Sequence, residues 1–136
     1  MIGSNVSVAP QVVSVALADR SYDILIEHGC LPRIASIVEP WVTRFGRGKP
    51  SRTAAIITDS NVRQAASTVS NSLKVAGWNC ELIELEPGET TKRQEVISSI
   101  YDRLVQIQAD RRTVVFAVGG GEIGRASCRE RVCLAV

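Results

Sequence analysis

"TAAIITDSNVRQAASTVSNSLKVAGWNCELIEL" (residues 53–85) decides the fold class. Residues 53–58 form a short uncharged run, the composition of a strand covered on both faces. Val62, Ala65, Ala66, Val69, Leu73 and Ala76 then recur at helical spacing, and Gly77 ends that helix from a C′ position. Residues 78–85 alternate as a second strand. The pattern repeats downstream. "PGETTKRQEV" (87–96) opens a second helix, with Thr91 and Gln94 at capping-box spacing. Val96, Ile100, Leu104 and Ile107 line its apolar face. "TVVFAV" (113–118) is a third strand, continuous and apolar. Strands and helices alternating over short connections predict a Rossmann-like α/β fold: a mostly parallel sheet, right-handed crossovers and flanking helices.

Upstream, residues 12–17 and 22–27 are short β-branched runs separated by "ADRS", and they predict an N-terminal β-hairpin. A helix follows in "GCLPRIASIVEPWV" (29–42), with Pro32 in its first turn and Ile34, Ile37, Val38 and Trp41 on one face. Pro40 is expected to end or kink it. The basic Gly/Pro stretch 44–52 reads as a solvated connection, with a phosphate contact as the other reading. Residues 1–11 are expected to be disordered, 12–121 to form one incomplete domain, and 122–136 to stand outside the fold.

Bulk properties exclude several function classes. With 136 residues, 45% hydrophobic and 22% charged, the chain suits one globular domain. A formal charge of +2 argues against nucleic acid or an anionic membrane as partner. No apolar run reaches the roughly 20 residues of a membrane span, and the N-terminus lacks the basic and apolar regions of a secretory signal. Cys30, Cys80, Cys128 and Cys133 contain no C-x-x-C pair and read as free thiols in a reducing cytoplasm. His28 is the only histidine and reads as a surface or loop residue, so a histidine metal cluster or a Ser-His-Asp triad is not supported.

Ligands of parallel α/β sheets bind beyond the carboxyl ends of the strands. "TDSN" (58–61), "EPGETTK" (86–92) and "GGG" (119–121) fall on that edge. Asp59 could accept ribose hydroxyls with Asn61 beside it, or it could cap the following helix. Glu89 and Lys92, three residues apart at a helix start, suit a sugar and a phosphate, or form an ordinary exposed pair. Pro87 and Gly88 allow a close turn against a ligand. Gly119, Gly120 and Gly121 bare backbone N–H groups towards a pyrophosphate, or merely reverse the chain. Gly119, Gly121 and Gly124 also spell G-x-G-x-x-G. They follow the last strand rather than the first, so a first-strand dinucleotide fingerprint and a P-loop are both unsupported.

"YDILIEHGCL" (22–31), "IITDSNV" (56–62), "ELEPGETTKR" (84–93) and "VVFAVGGG" (114–121) together resemble 3-dehydroquinate synthase, in its order and spacing. The resemblance implies the NAD-binding N-terminal part of a phosphate-eliminating carbon–oxygen lyase of the shikimate pathway, which serves chorismate and aromatic amino-acid biosynthesis. Its substrate is 3-deoxy-D-arabino-heptulosonate 7-phosphate and its product 3-dehydroquinate. By that match Asp59, Asn61, Glu89 and Lys92 face the nucleoside part of NAD and Gly120 and Gly121 its pyrophosphate, with Pro87, Gly88 and Gly119 completing the cofactor-binding set. The family's divalent metal (zinc or cobalt), catalytic lysines and homodimer belong to the full-length protein, with no metal ligand or catalytic residue in this stretch. A metal-dependent polyol or glycerol dehydrogenase fragment and a stand-alone nucleotide-binding module are the alternatives.

After GGG the family pattern continues Val-Ile-Gly-Asp, whereas this chain has Glu122 and Arg125 at the first and last of those positions. "IGRASCRERV" (123–132) resembles one translated frame of a sequencing adaptor. The expectation is a native sequence ending within codon 122 and a chain that is inactive by itself.

Overall fold

The computed structural model describes residues 9–45, 52–86, 94–120 and 133–135. Two compact units divide the chain, residues 1–30 and 31–136. In the first, β1 (Gln11–Val15) and β2 (Tyr22–Ile26) form the expected antiparallel hairpin, with Gln11 opposite Ile26 and Val15 opposite Tyr22. Ser14 donates to the carboxylate of its register partner Asp23 at 2.7 Å. β1 ends two residues earlier than the composition predicts. The Leu17 N–H is taken by Ser21 Oγ at 2.9 Å, and Ala18 turns to φ 55°, which starts a 3-10 turn instead of prolonging the strand.

The second unit contains α1 (Ile34–Phe45), β3 (Thr53–Asp59), α2 (Arg63–Val75), β4 (Asn79–Leu85), α3 (Gln94–Gln106), β5 (Val114–Gly119) and the short β6 (Cys133–Ala135). Its sheet has the order β4-β3-β5-β6, and every pairing is parallel. β6 lies within the 122–136 segment that the sequence reading left outside the fold, and it pairs Ala117 with Cys133. Side chains alternate across the sheet. Ala54, Ile56, Val114, Phe116 and Val118 face α1 and α2, packing with Ile34, Val38, Val42, Ala66, Val69 and Leu73. Ile57, Ile83, Leu85, Val115 and Ala117 face the other way and pack with Ile100 of α3. Trp78, just before β4, is buried in the first cluster and meets Phe116 edge to face, with centroids 6.2 Å apart.

Pro40 does not end its helix. α1 runs through it to Phe45, because Val38 and Val42 on either side are both buried in the core and hold both halves of the helix on the sheet. The bond that Pro40 forfeits would have gone to the carbonyl of Ser36, an exposed residue. The capping box expected at Thr91 lies outside the described residues. α3 ends at Gln106, one residue short of the predicted Ile107, which is half-buried.

Both sheet-packed helices α2 and α3 stop in the same way. After α2, Gly77 adopts φ 89°, its N–H reaches the Lys74 carbonyl at 3.0 Å, and the Trp78 N–H reaches that of Leu73 at 3.0 Å. These are the two bonds of a Schellman motif, fastened by the apolar pair Leu73 and Trp78. After α3, Gln108 takes the left-handed position with φ 55°. The Gln108 N–H bonds Val105 at 3.0 Å and the Ala109 N–H bonds Leu104 at 2.9 Å. Asp110 then organises the approach to β5: its carboxylate accepts the Arg112 N–H at 2.8 Å, which holds the carboxyl below its ordinary pKa.

The two C′ residues yield opposite expectations. An added Cβ at Gly77 would meet nothing within 4 Å, so Gly77→Ala should destabilise purely through the backbone, by about 1 kcal/mol. Gln108→Gly should stabilise by a similar amount, about 1 kcal/mol, by removing the left-handed penalty. Urea unfolding of the two variants checks both signs; equal signs would contradict this account of the caps.

Candidate functional site

Thr58 and Val118 are register partners, so Asp59 and Gly119 leave the sheet side by side. On the other side of β3, Asp59 is opposite Leu85, and Glu86 follows directly. Three chain exits therefore share one edge. From β3 the chain passes through α2 to β4, whereas the strand beyond β5 lies on the far side of β5. The crevice between the carboxyl ends of β3 and β5 is accordingly a topological switch point, the usual ligand position in open parallel sheets.

Asp59 is half-buried at this mouth, with an extended backbone (φ −120°, ψ 170°). Its Oδ1 accepts the Asn61 N–H at 2.9 Å and so caps the 3-10 turn Ser60–Val62 that leads into α2. Of the two readings left open for this residue, the cap is present in the fold. The cap uses one oxygen of the carboxylate, and among the described residues nothing bonds the other. The Asn61 side chain is exposed beside it. Gly119 is buried as the last residue of β5, and Gly120 is exposed just beyond. A Cβ built on Gly120 would meet nothing within 4 Å, so the space over this backbone is open. Pro87, Gly88, Glu89, Lys92 and Gly121 lie outside the described residues.

One charged pair at this edge escaped the sequence reading. Arg63, the first residue of α2, donates from Nε at 2.8 Å and from Nη2 at 2.6 Å to Oε2 of Glu84 on β4. Twenty-one residues separate the two, and no local spacing signals the contact. Glu84 is the register partner of Thr58, which brings it beneath the start of α2. A second pair, Arg103 with Glu81, fastens α3 to β4, with Arg103 Nε 3.0 Å from Glu81 Oε1.

Elsewhere the chemistry is sparse. His28 is exposed in the turn after β2. Burial pushes the Cys80 thiol above its ordinary pKa, and Lys74 pulls it part of the way back. Among the described residues no three His, Cys, Asp or Glu side chains gather as metal ligands, and no helix is long and apolar enough to cross a membrane.

Residues 82–128 match the family model described as 3-dehydroquinate synthase N-terminal. The chain is 31% identical over 118 residues to the 3-dehydroquinate synthase of Clostridium kluyveri, covering 86% of this chain and 31% of that protein. It is 36% identical over 116 residues to the 3-dehydroquinate synthase of Mesorhizobium japonicum, covering 85% of this chain and 29% of that one. The chain thus spans about a third of the length of the curated relatives it matches. Among solved structures, 2-deoxy-scyllo-inosose synthase superposes over 92% of this chain and 35% of its own, with a TM-score of 0.72 at 18% identity. The same enzyme complexed with carbaglucose-6-phosphate, NAD+ and Co2+ gives a TM-score of 0.67 at 20% identity over 93% of this chain and 34% of its own. These structures share the fold.

The cap at Asp59 separates two roles for one side chain. Asp59→Ala should cost about 1 kcal/mol of stability, whereas Asp59→Asn, which keeps an accepting oxygen for the Asn61 N–H, should stay within a few tenths. Chemical denaturation of the two variants measures this; equal losses would show that the charge, not the cap, stabilises the turn.

Proposed function

We propose that the chain is the N-terminal part of a 3-dehydroquinate synthase, the family it matches, and that its carboxyl edge holds NAD. The observation that supports this reading is the open backbone at Gly120 beside a capped carboxylate at a switch point. Asp59 accepts ribose hydroxyls through the oxygen that the cap leaves over, and Asn61 adds an amide beside it. Gly119 and Gly120 bring main-chain N–H groups to the pyrophosphate with no Cβ in the way. Pro87, Gly88, Glu89, Lys92 and Gly121 complete the set in the proposal.

The whole protein, in this reading, converts 3-deoxy-D-arabino-heptulosonate 7-phosphate to 3-dehydroquinate and phosphate. Bound at this edge, NAD would supply reversible hydride acceptance, the chemistry by which a transient ketone acidifies a neighbouring C–H for loss of phosphate. The described residues offer no ligand group for the family's divalent metal, so no metal-assisted step is assigned to them. A sugar phosphate is the substrate class, the assembled enzyme is a homodimer, and a reducing cytoplasm suits the free thiols Cys30 and Cys80.

Calorimetric titration with NAD+ tests the cofactor reading. Gly120→Ala should leave the melting midpoint unchanged, because its Cβ enters empty space, yet weaken NAD+ binding by roughly tenfold or more, about 1.4 kcal/mol. No heat of binding for the unaltered chain, or undiminished binding by Gly120→Ala, would overturn it.

A further inference from the structure

We propose that the Arg63–Glu84 pair sets the preference of this edge for a dinucleotide without a 2′-phosphate; this rests on the cofactor reading above. A 2′-phosphate is accommodated in related sites by a nearby guanidinium, whereas a carboxylate favours the free 2′-hydroxyl and repels the phosphate. Among the described residues at this edge (59–63, 84–86, 119–120) Arg63 is the one cation. It stands four residues beyond Asp59, past the 3-10 turn Ser60–Val62, on the side that the cofactor reading gives to the nucleoside.

Its charge is already spoken for. Both Nε and Nη2 point to Oε2 of Glu84, so two of the guanidinium donors are committed to one carboxylate oxygen. The side chains are 66% and 28% exposed, so solvent screening leaves the pair little effect on stability. Its consequence is electrostatic. A dianionic phosphate arriving there meets a neutralised guanidinium and, within about 3 Å of it, a carboxylate of like sign. A 2′-hydroxyl meets no such opposition.

Titrating the 136-residue chain with NAD+ and with NADP+ tests this. The unaltered chain should prefer NAD+ by roughly tenfold or more, about 1.4 kcal/mol. Glu84→Ala, which frees Arg63, should narrow that ratio by about tenfold, chiefly through tighter NADP+ binding. Glu84→Gln, keeping a hydrogen bond without the charge, should fall between. Removing both partners (Arg63→Ala with Glu84→Ala) should return NADP+ binding to its weak level, and unchanged circular dichroism certifies the folds. An unaltered ratio in Glu84→Ala, or equal binding of the two dinucleotides by the original chain, would overturn the inference while leaving NAD binding standing. Failure of the original chain to bind NAD+ would instead remove the cofactor reading, and the inference with it.

Discussion

The constraint from which the architecture follows is the burial of the middle of β3, residues 54–58. It is paired on both edges, and Ala54, Ala55, Ile56 and Ile57 are at most 2% exposed. A strand buried on both faces needs helices on both faces, and the chain supplies α1 and α2 on one side and α3 on the other. Right-handed crossovers then leave little choice. With α2 and α3 on opposite faces, the steps from β3 to β4 and from β4 to β5 must run in opposite directions, so β5 returns past β4 and lands on the free edge of β3. The order β4-β3-β5 is the result. So is the switch point between β3 and β5, which exists because the crossover reverses.

Helix length is set as tightly as strand order. α2 and α3 each have 13 residues and end in the same pair of C-terminal bonds, so each delivers the chain to the amino end of the next strand. The residue that makes the turn differs: glycine after α2, glutamine after α3. Packing explains why glutamine suffices. The Schellman bonds place Ala109 against the α3 terminus, and the Asp110–Thr113 turn, with its 2.9 and 3.1 Å bonds, fixes the following four residues. The local penalty is offset by order on both sides.

The periodic elements were legible because each face of the sheet is covered. Buried strands read as uncharged runs, and the stripes of α2 and α3 fell on the core except at the ends of α2, where Val62 lies in the preceding 3-10 turn and Ala76 is an exposed cap. Pro40 read as a helix end failed because a local rule about the backbone met two buried valines, which a sequence window weighs separately. Gln108 gave no signal, since a left-handed non-glycine residue is a consequence of its bonds and not of its side chain. The site was legible to the extent that it is local. Asp59 is the last residue of β3, and Gly120 follows β5 directly. Whether Asp59 caps or binds was beyond the sequence, because both tasks ask for a short carboxylate at the same position. Arg63 and Glu84 were invisible because register, not spacing, brings them together.

Cap and ligand roles at Asp59 are not rivals in physical terms. A carboxylate presents about four acceptor positions over two oxygens, and the cap at Oδ1 occupies one. Holding Oδ1 to the Asn61 N–H fixes the side-chain torsion and thereby the direction of Oδ2, at no cost when a ligand arrives. The same bond caps the 3-10 turn Ser60–Val62 that leads into α2, whose first residue Arg63 meets Glu84. Asp59 thus orients both its own free oxygen and the neighbouring ion pair. In the proposed cofactor reading, a carboxylate already held by its cap loses less freedom when a ligand arrives, which sharpens the difference between a ribose with and without one phosphate.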